Sequence, residues 1–166
     1  ERAFNEKIAR IEPVLQQEPT GKTVAFFSVT GNNLITVRKG GDYVAQMIGM
    51  AGGSYVFADL TDNGNSLSTM NLPQETFYAQ ARDADVLIYN STIEGKIETT
   101  EQLLSKCPML ADFKAVQNGN VWCTTQSLFQ ESMELPDLIL DMNRVFTAES
   151  PNAVNEDELK FLTHVS

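Results

Sequence analysis

Four short apolar runs, spaced so that a helix fits between each and the next, set the strongest limit on how this chain can fold. The first, Thr23-Val24-Ala25-Phe26-Phe27-Ser28-Val29, is almost continuously apolar and is flanked by Gly21 and Gly31. A strand with one wet face alternates apolar and polar residues. A continuous run belongs in a sheet covered on both sides. The other runs are Ser54–Ala58, Val86–Asn90 and Val121–Cys123.

Between them lie helical patterns with recognisable ends. Gly40-Gly41-Asp42 is a helix start with Asp42 as N-cap, and Tyr43 to Met50 carries Val44, Met47 and Ile48 on one stripe before the Gly52-Gly53 stop. Pro73 opens a second helix containing Glu75, Phe77, Tyr78 and Ala81, and Thr99 to Ser105 forms a third. Pro108 breaks that one, Met109 to Val116 adds a turn or two, and Asn118-Gly119-Asn120 turns into the fourth strand. Pro136 to Phe146 is amphipathic through Leu138, Ile139, Met142 and Val145. At the other end, Phe4, Ile8, Ile11 and Leu15 make Glu1 to Gln17 helical, with Pro13 as a kink.

Alternating strands and helices predict an α/β fold. The expected form is a three-layer Rossmann-like sandwich, with a mainly parallel central sheet of about four to five strands and helices on both faces. Ligands of such sheets sit outside the carboxyl ends of the strands. The loops of interest are therefore Thr30–Arg38, Asp59–Asn71, Ser91–Ile97 and Thr124–Glu134. The stretch from Thr147 to Ser166 reads as a polar, acidic tail with a weak helical patch at Glu156 to Phe161.

Charge and motifs exclude more than they suggest. A formal net charge of −10 argues against nucleic acid or an anionic membrane surface as the main partner. No GxGxxG, P-loop, GxSxG or HExxH pattern occurs, and His164 is the sole histidine, placed in the expected tail. A Ser-His-Asp or Cys-His site is thereby disfavoured. Asp83 with Asp85, and Glu98 with Glu101, read as solvated carboxylates. Cys107 and Cys123 read as buried thiols whose pairing is left open. Met47, Met50 and Trp122 read as core. A small flavodoxin-like nucleotide- or flavin-binding enzyme domain is the alternative class, and Thr30-Gly31-Asn32-Asn33 is a poor phosphate loop for it.

The order of several segments carries a resemblance. The run from Val37 through Gly53, the Ser68-to-Glu75 stretch, Asp83 to Tyr89, and Phe113-Lys114-Ala115-Val116-Gln117-Asn118-Gly119-Asn120-Val121-Trp122 together resemble one lobe of a known family. It is the C-terminal lobe of bacterial ABC-importer substrate-binding proteins of the helical-linker class, which carry ferric siderophores, haem or cobalamin. The resemblance spans roughly Glu1 to Phe146.

It implies a non-enzymatic, extracytoplasmic receptor lobe, periplasmic or lipid-anchored, with no cofactor of its own and a metal chelate as transported ligand. Residues 1–17 would be the end of the inter-lobe helix, 18–147 the lobe and 148–166 the tail. The N-terminal lobe would lie outside this chain. Arg38, in the loop after the first strand, would fork to a carboxylate, catecholate or phosphate of an anionic chelate. Tyr89, Asn90, Ser91 and Thr92 would supply hydroxyl and amide contacts, and Leu67, Met70 and Phe129 apolar ones. Glu75 would dock the lobe onto arginines of the membrane permease; the plainer reading is helix-dipole stabilisation.

Overall fold

The computed structural model describes residues 21–30, 34–38, 43–57, 69–90, 99–124, 135–148, 154 and 162–165. Its centre is β1 (Thr23–Val29), buried at every position from Val24 onward. β1 pairs in parallel with β3 (Ser54–Tyr55) and β5 (Val86–Tyr89), and β5 pairs in parallel with β6 (Val121–Thr124). The parallel core is the one the apolar runs predict.

Three further strands enlarge it to a seven-stranded sheet. β2 (Ile35–Arg38) runs antiparallel to β1, and β4 (Thr69–Leu72) antiparallel to β2. β7 (Leu162–His164) closes the far edge antiparallel to β6. These correct two expected loops and the expected tail. Ile35, Val37 and Leu72 are buried while Thr36 and Asn71 are not, the alternation of a strand pair with one wetter face.

The helices are α1 (Tyr43–Met50), α2 (Gln74–Ala81), α3 (Thr100–Lys106), α4 (Lys114–Gln117) and α5 (Leu135–Thr147), with a 3-10 turn at Pro108–Asp112. They cover both faces. Phe77 of α2 packs on Phe27, Phe57 and Phe113, with ring centroids 4.9, 5.8 and 5.6 Å apart. Phe27 and Val24 point to opposite faces of β1, and Val24 meets Phe146 of α5 beside Gly53. Asn143 of α5 donates its side-chain N–H to the Ala51 carbonyl and ties α5 to the end of α1. Thr99 caps α3 through a full capping box with Gln102. The expected helix at residues 1–17, the Asp42 cap and the patch at 156–161 lie outside the described residues.

The end of α1 shows why two glycines are adjacent. The Gly53 N–H donates to Ile48 O and the Gly52 N–H to Gly49 O, the paired bonds of a Schellman stop, with Gly52 at φ 98°. Gly53 has a different reason. A Cβ there would stand 2.8 Å from Phe146 and 2.9 Å from Val24. Gly53→Ala should therefore force the Phe146 ring and β1 apart and cost about 1–3 kcal/mol, measured by urea unfolding.

A second tie sits at the amino end of the sheet. Asp85 Oδ2 accepts from the Thr23 backbone N–H and hydroxyl at 3.0 and 3.3 Å, and Lys114 Nζ reaches Oδ1 at 2.6 Å. Asp85 is thus a clamp joining β1, β5 and α4, not a free surface carboxylate; Asp83 remains exposed. Partial burial opposes ionisation of Asp85, but the Lys114 and Thr23 hydrogen bonds outweigh it and hold its pKa below the usual carboxylate value. Its stabilisation is complete above the unfolded-state pKa and is lost as pH falls through the lower folded value. Asp85→Ala should cost about 1–3 kcal/mol at neutral pH by leaving the Thr23 N–H unsatisfied. The gap between the two proteins should narrow on acidification, which denaturant unfolding across pH would show.

Candidate functional site

β1, β5 and β6 run the same way, so Val29, Tyr89 and Thr124 mark one end of the sheet. The hairpin from β1 to β2 turns at that end, where the Thr30 N–H donates to Leu34 O and Thr30 Oγ1 accepts from the Leu34 N–H. β4 also ends there, at Leu72, and Pro73 starts α2. Because β1 leads into a hairpin, no helix begins directly after it. The flavodoxin-like alternative needs a phosphate loop opening a helix there, whereas the next described element is β2, the antiparallel partner of β1.

One face of this end is polar. Register sets Asn71 beside Thr36 and Thr36 beside Ser28. Ser28, Asn90 and Thr124 are buried, Thr36 is half-buried and Asn71 exposed. The Asn90 N–H donates to Phe27 O at 2.7 Å, carrying the β1–β5 ladder one step past Tyr89. Thr36 Oγ1 donates to Asn71 Oδ1 at 2.7 Å.

The expected site residues fall unevenly on this frame. Asn90 and Glu75 lie at the carboxyl end of the sheet: Asn90 is buried, and Glu75 is exposed in the first turn of α2. Arg38 is not in a loop. It ends β2 opposite Thr69, three residues and about 10 Å of strand back from Ile35 at the carboxyl edge. Met70 is on β4 opposite Val37. Tyr89, expected in the cleft, is a core residue, fully buried with its ring edge-on to Phe27 at 5.6 Å. Leu67, Ser91, Thr92 and Phe129 lie outside the described residues. Sequence reasoning passed over Thr36, Asn71 and Ser28, and the clue available was the Ile-Thr-Val alternation at residues 35–37.

Trp122 is fully buried, with its indole N–H donating to Asn120 Oδ1 at 2.7 Å. His164 lies against it with the rings tilted and their centroids 4.8 Å apart, and donates from Nε2 to the Gly119 carbonyl at 2.6 Å. His164 thus belongs to the sheet edge, not to a tail. Cys107 and Cys123 are both buried, and burial pushes the Cys107 thiol pKa up. Among the described residues no cluster of His, Cys, Asp or Glu could hold a metal, and no helix is long and apolar enough to cross a membrane.

Known structures resemble this arrangement. A TroA-like periplasmic binding protein, FepB of Veillonella parvula, superposes with a TM-score of 0.69 over 99% of this chain and 55% of its own, at 14% identity. The chain shares the fold of periplasmic binding proteins. The Fe3+-hydroxamate transport protein of Saccharomonospora viridis gives a TM-score of 0.66 at 16% identity, covering 89% of this chain and 48% of its own. For the periplasmic haem-binding protein HutB of Vibrio cholerae the score is 0.65 at 17% identity, over 87% and 52%. In sequence, an uncharacterised lipoprotein of Methanocaldococcus jannaschii is 29% identical over 116 residues, which are 69% of this chain and 26% of that protein. No family model matches. The chain therefore spans about half the length of the structures it resembles and a quarter of the curated relative.

Proposed function

We propose that this chain is the C-terminal lobe of an extracytoplasmic receptor that captures a metal chelate and delivers it to an ABC permease. One observation carries the reading: nearly the whole chain superposes on about half of a binding protein. The proteins it resembles include ones named for Fe3+-hydroxamate and haem, so an iron chelate is the proposed ligand class. The lipoprotein relative supports an extracytoplasmic location, periplasmic or lipid-anchored. Residues 1–17 would be the end of the helix joining this lobe to an N-terminal one, with the lobe proper at 18–147.

In this reading the polar end of the sheet faces the cleft. Ligand contacts are proposed for Asn90, Ser91 and Thr92 after β5, and for Leu67 and Phe129 in the neighbouring connections. The receptor itself performs no chemistry; it binds, orients and releases.

Glu75 is proposed as the permease-docking residue. Its carboxylate is exposed at the end of the sheet where the ligand would sit, so one face could present both to the membrane. Exposed charge pairs set orientation and association rate more than affinity. Glu75→Lys in the full receptor should leave chelate affinity within about twofold and reduce uptake in reconstituted vesicles by roughly tenfold or more. Normal uptake by that variant would remove the docking assignment.

A further inference from the structure

We propose that Asn118 is a site of spontaneous deamidation that the fold holds closed, and that His164, brought by β7, is a positioning residue in the lock.

The reactive pair follows from how α4 ends. The chain contains two Asn-Gly pairs, Asn63-Gly64 and Asn118-Gly119, and the second lies among the described residues. Gly119 has φ 74°, and a Cβ built on it would meet nothing within 4 Å, so conformation rather than space requires glycine there. The same missing side chain leaves the Gly119 nitrogen open to the residue before it, and Asn118 is exposed. In the reaction the Gly119 nitrogen gives up its proton and bonds to the side-chain carbonyl carbon of Asn118. The bond from that carbon to the side-chain nitrogen breaks, and ammonia leaves. Water then opens the five-membered imide. The product is aspartate, or isoaspartate with the backbone rerouted through the side chain. One water is consumed for each ammonia released, and nothing is oxidised or reduced.

The structure opposes the first step. Asn118 stands at φ −89° and ψ −4°. With ψ near zero the Gly119 nitrogen eclipses the backbone nitrogen of Asn118, so roughly 120° of rotation separates it from the side chain it must reach. That rotation is resisted on both sides of Gly119. The Gly119 N–H donates to Val116 O at 3.2 Å and the Asn120 N–H to Ala115 O at 2.7 Å, the paired bonds of a Schellman stop. Beyond them, Asn120 Oδ1 accepts from the Trp122 indole N–H, and the Gly119 carbonyl accepts from His164 Nε2 at 2.6 Å. Three of these four bonds are made within the α4–β6 turn and the strand that follows it. The fourth comes from β7, so loss of the Asn118 amide records how often the β6–β7 edge opens.

The test follows the whole chain at mildly alkaline pH by mass spectrometry of the tryptic peptide from Ala115 to Arg144, which holds no other Asn-Gly pair. The folded chain should deamidate at Asn118 roughly tenfold or more slowly than the same chain unfolded in guanidinium chloride. His164→Phe keeps an aromatic ring beside Trp122 and removes the donor. It should raise the folded-state rate roughly three- to tenfold and leave the unfolded rate unchanged. Hydrogen exchange separates this local effect from general loosening: in the variant the Gly119 amide should exchange faster while the Phe26 amide of β1 keeps its rate. Equal deamidation in the folded and unfolded wild-type chain would overturn the lock. An unchanged folded-state rate in the variant, or equal acceleration of Gly119 and Phe26 exchange, would overturn the part given to His164.

Discussion

The structure depends on one strand having no free side. β1 is buried on both faces, and both its edges are paired: β5 lies along one, while β3 and β2 share the other. A strand so enclosed cannot exist until its neighbours do, because every unpaired N–H and C=O in that environment would carry a desolvation cost. The Asp85 clamp holds the β1–β5 register at the amino end, and the Thr30–Leu34 hairpin fixes the β1–β2 register at the other. What remains free to vary is the rim between these ties, where the polar row and the start of α2 meet.

The parts of this fold legible in the sequence are those whose burial is written locally. β1, β5 and β6 are apolar runs, and α5 shows its stripe from Ile139 through Met142 to Val145, all buried. Thr99, Pro73 and the Gly52-Gly53 pair mark helix ends through their own backbone chemistry. The strands that escaped notice are short and half polar: Ile35-Thr36-Val37-Arg38, Thr69-Met70-Asn71-Leu72 and Leu162-Thr163-His164. Within four residues an alternation such as Ile35-Thr36-Val37 is a faint signal, easily read as part of a loop. Their structure comes from an edge offered by a distant strand, and a sequence read locally does not contain that edge.

The same distinction explains the site. Tyr89 looked like a cleft residue because it ends a strand, but strand ends alternate. Tyr89 points toward Phe27 and the core, while its neighbour Asn90 continues the polar row. Arg38 drew attention as a cation after the first strand, yet the chain has already turned back by then, and β2 carries Arg38 away from the rim. The position of Glu75 at the start of α2 was legible because Pro73 fixes where that helix begins. Thr36 and Asn71 were not, since their adjacency spans 35 residues of chain.

Trp122 gives the protein a built-in optical gauge. It is the sole tryptophan, its indole N–H is held by Asn120, and its ring lies against the imidazole that β7 brings from 42 residues away. Emission excited selectively through tryptophan therefore reports on a single seam, the β6–β7 edge. Peeling β7 from the sheet would change the colour and quenching of that one fluorophore while the rest of the parallel core stayed spectroscopically dark. The last strand along the chain is thus the one whose departure can be watched by itself.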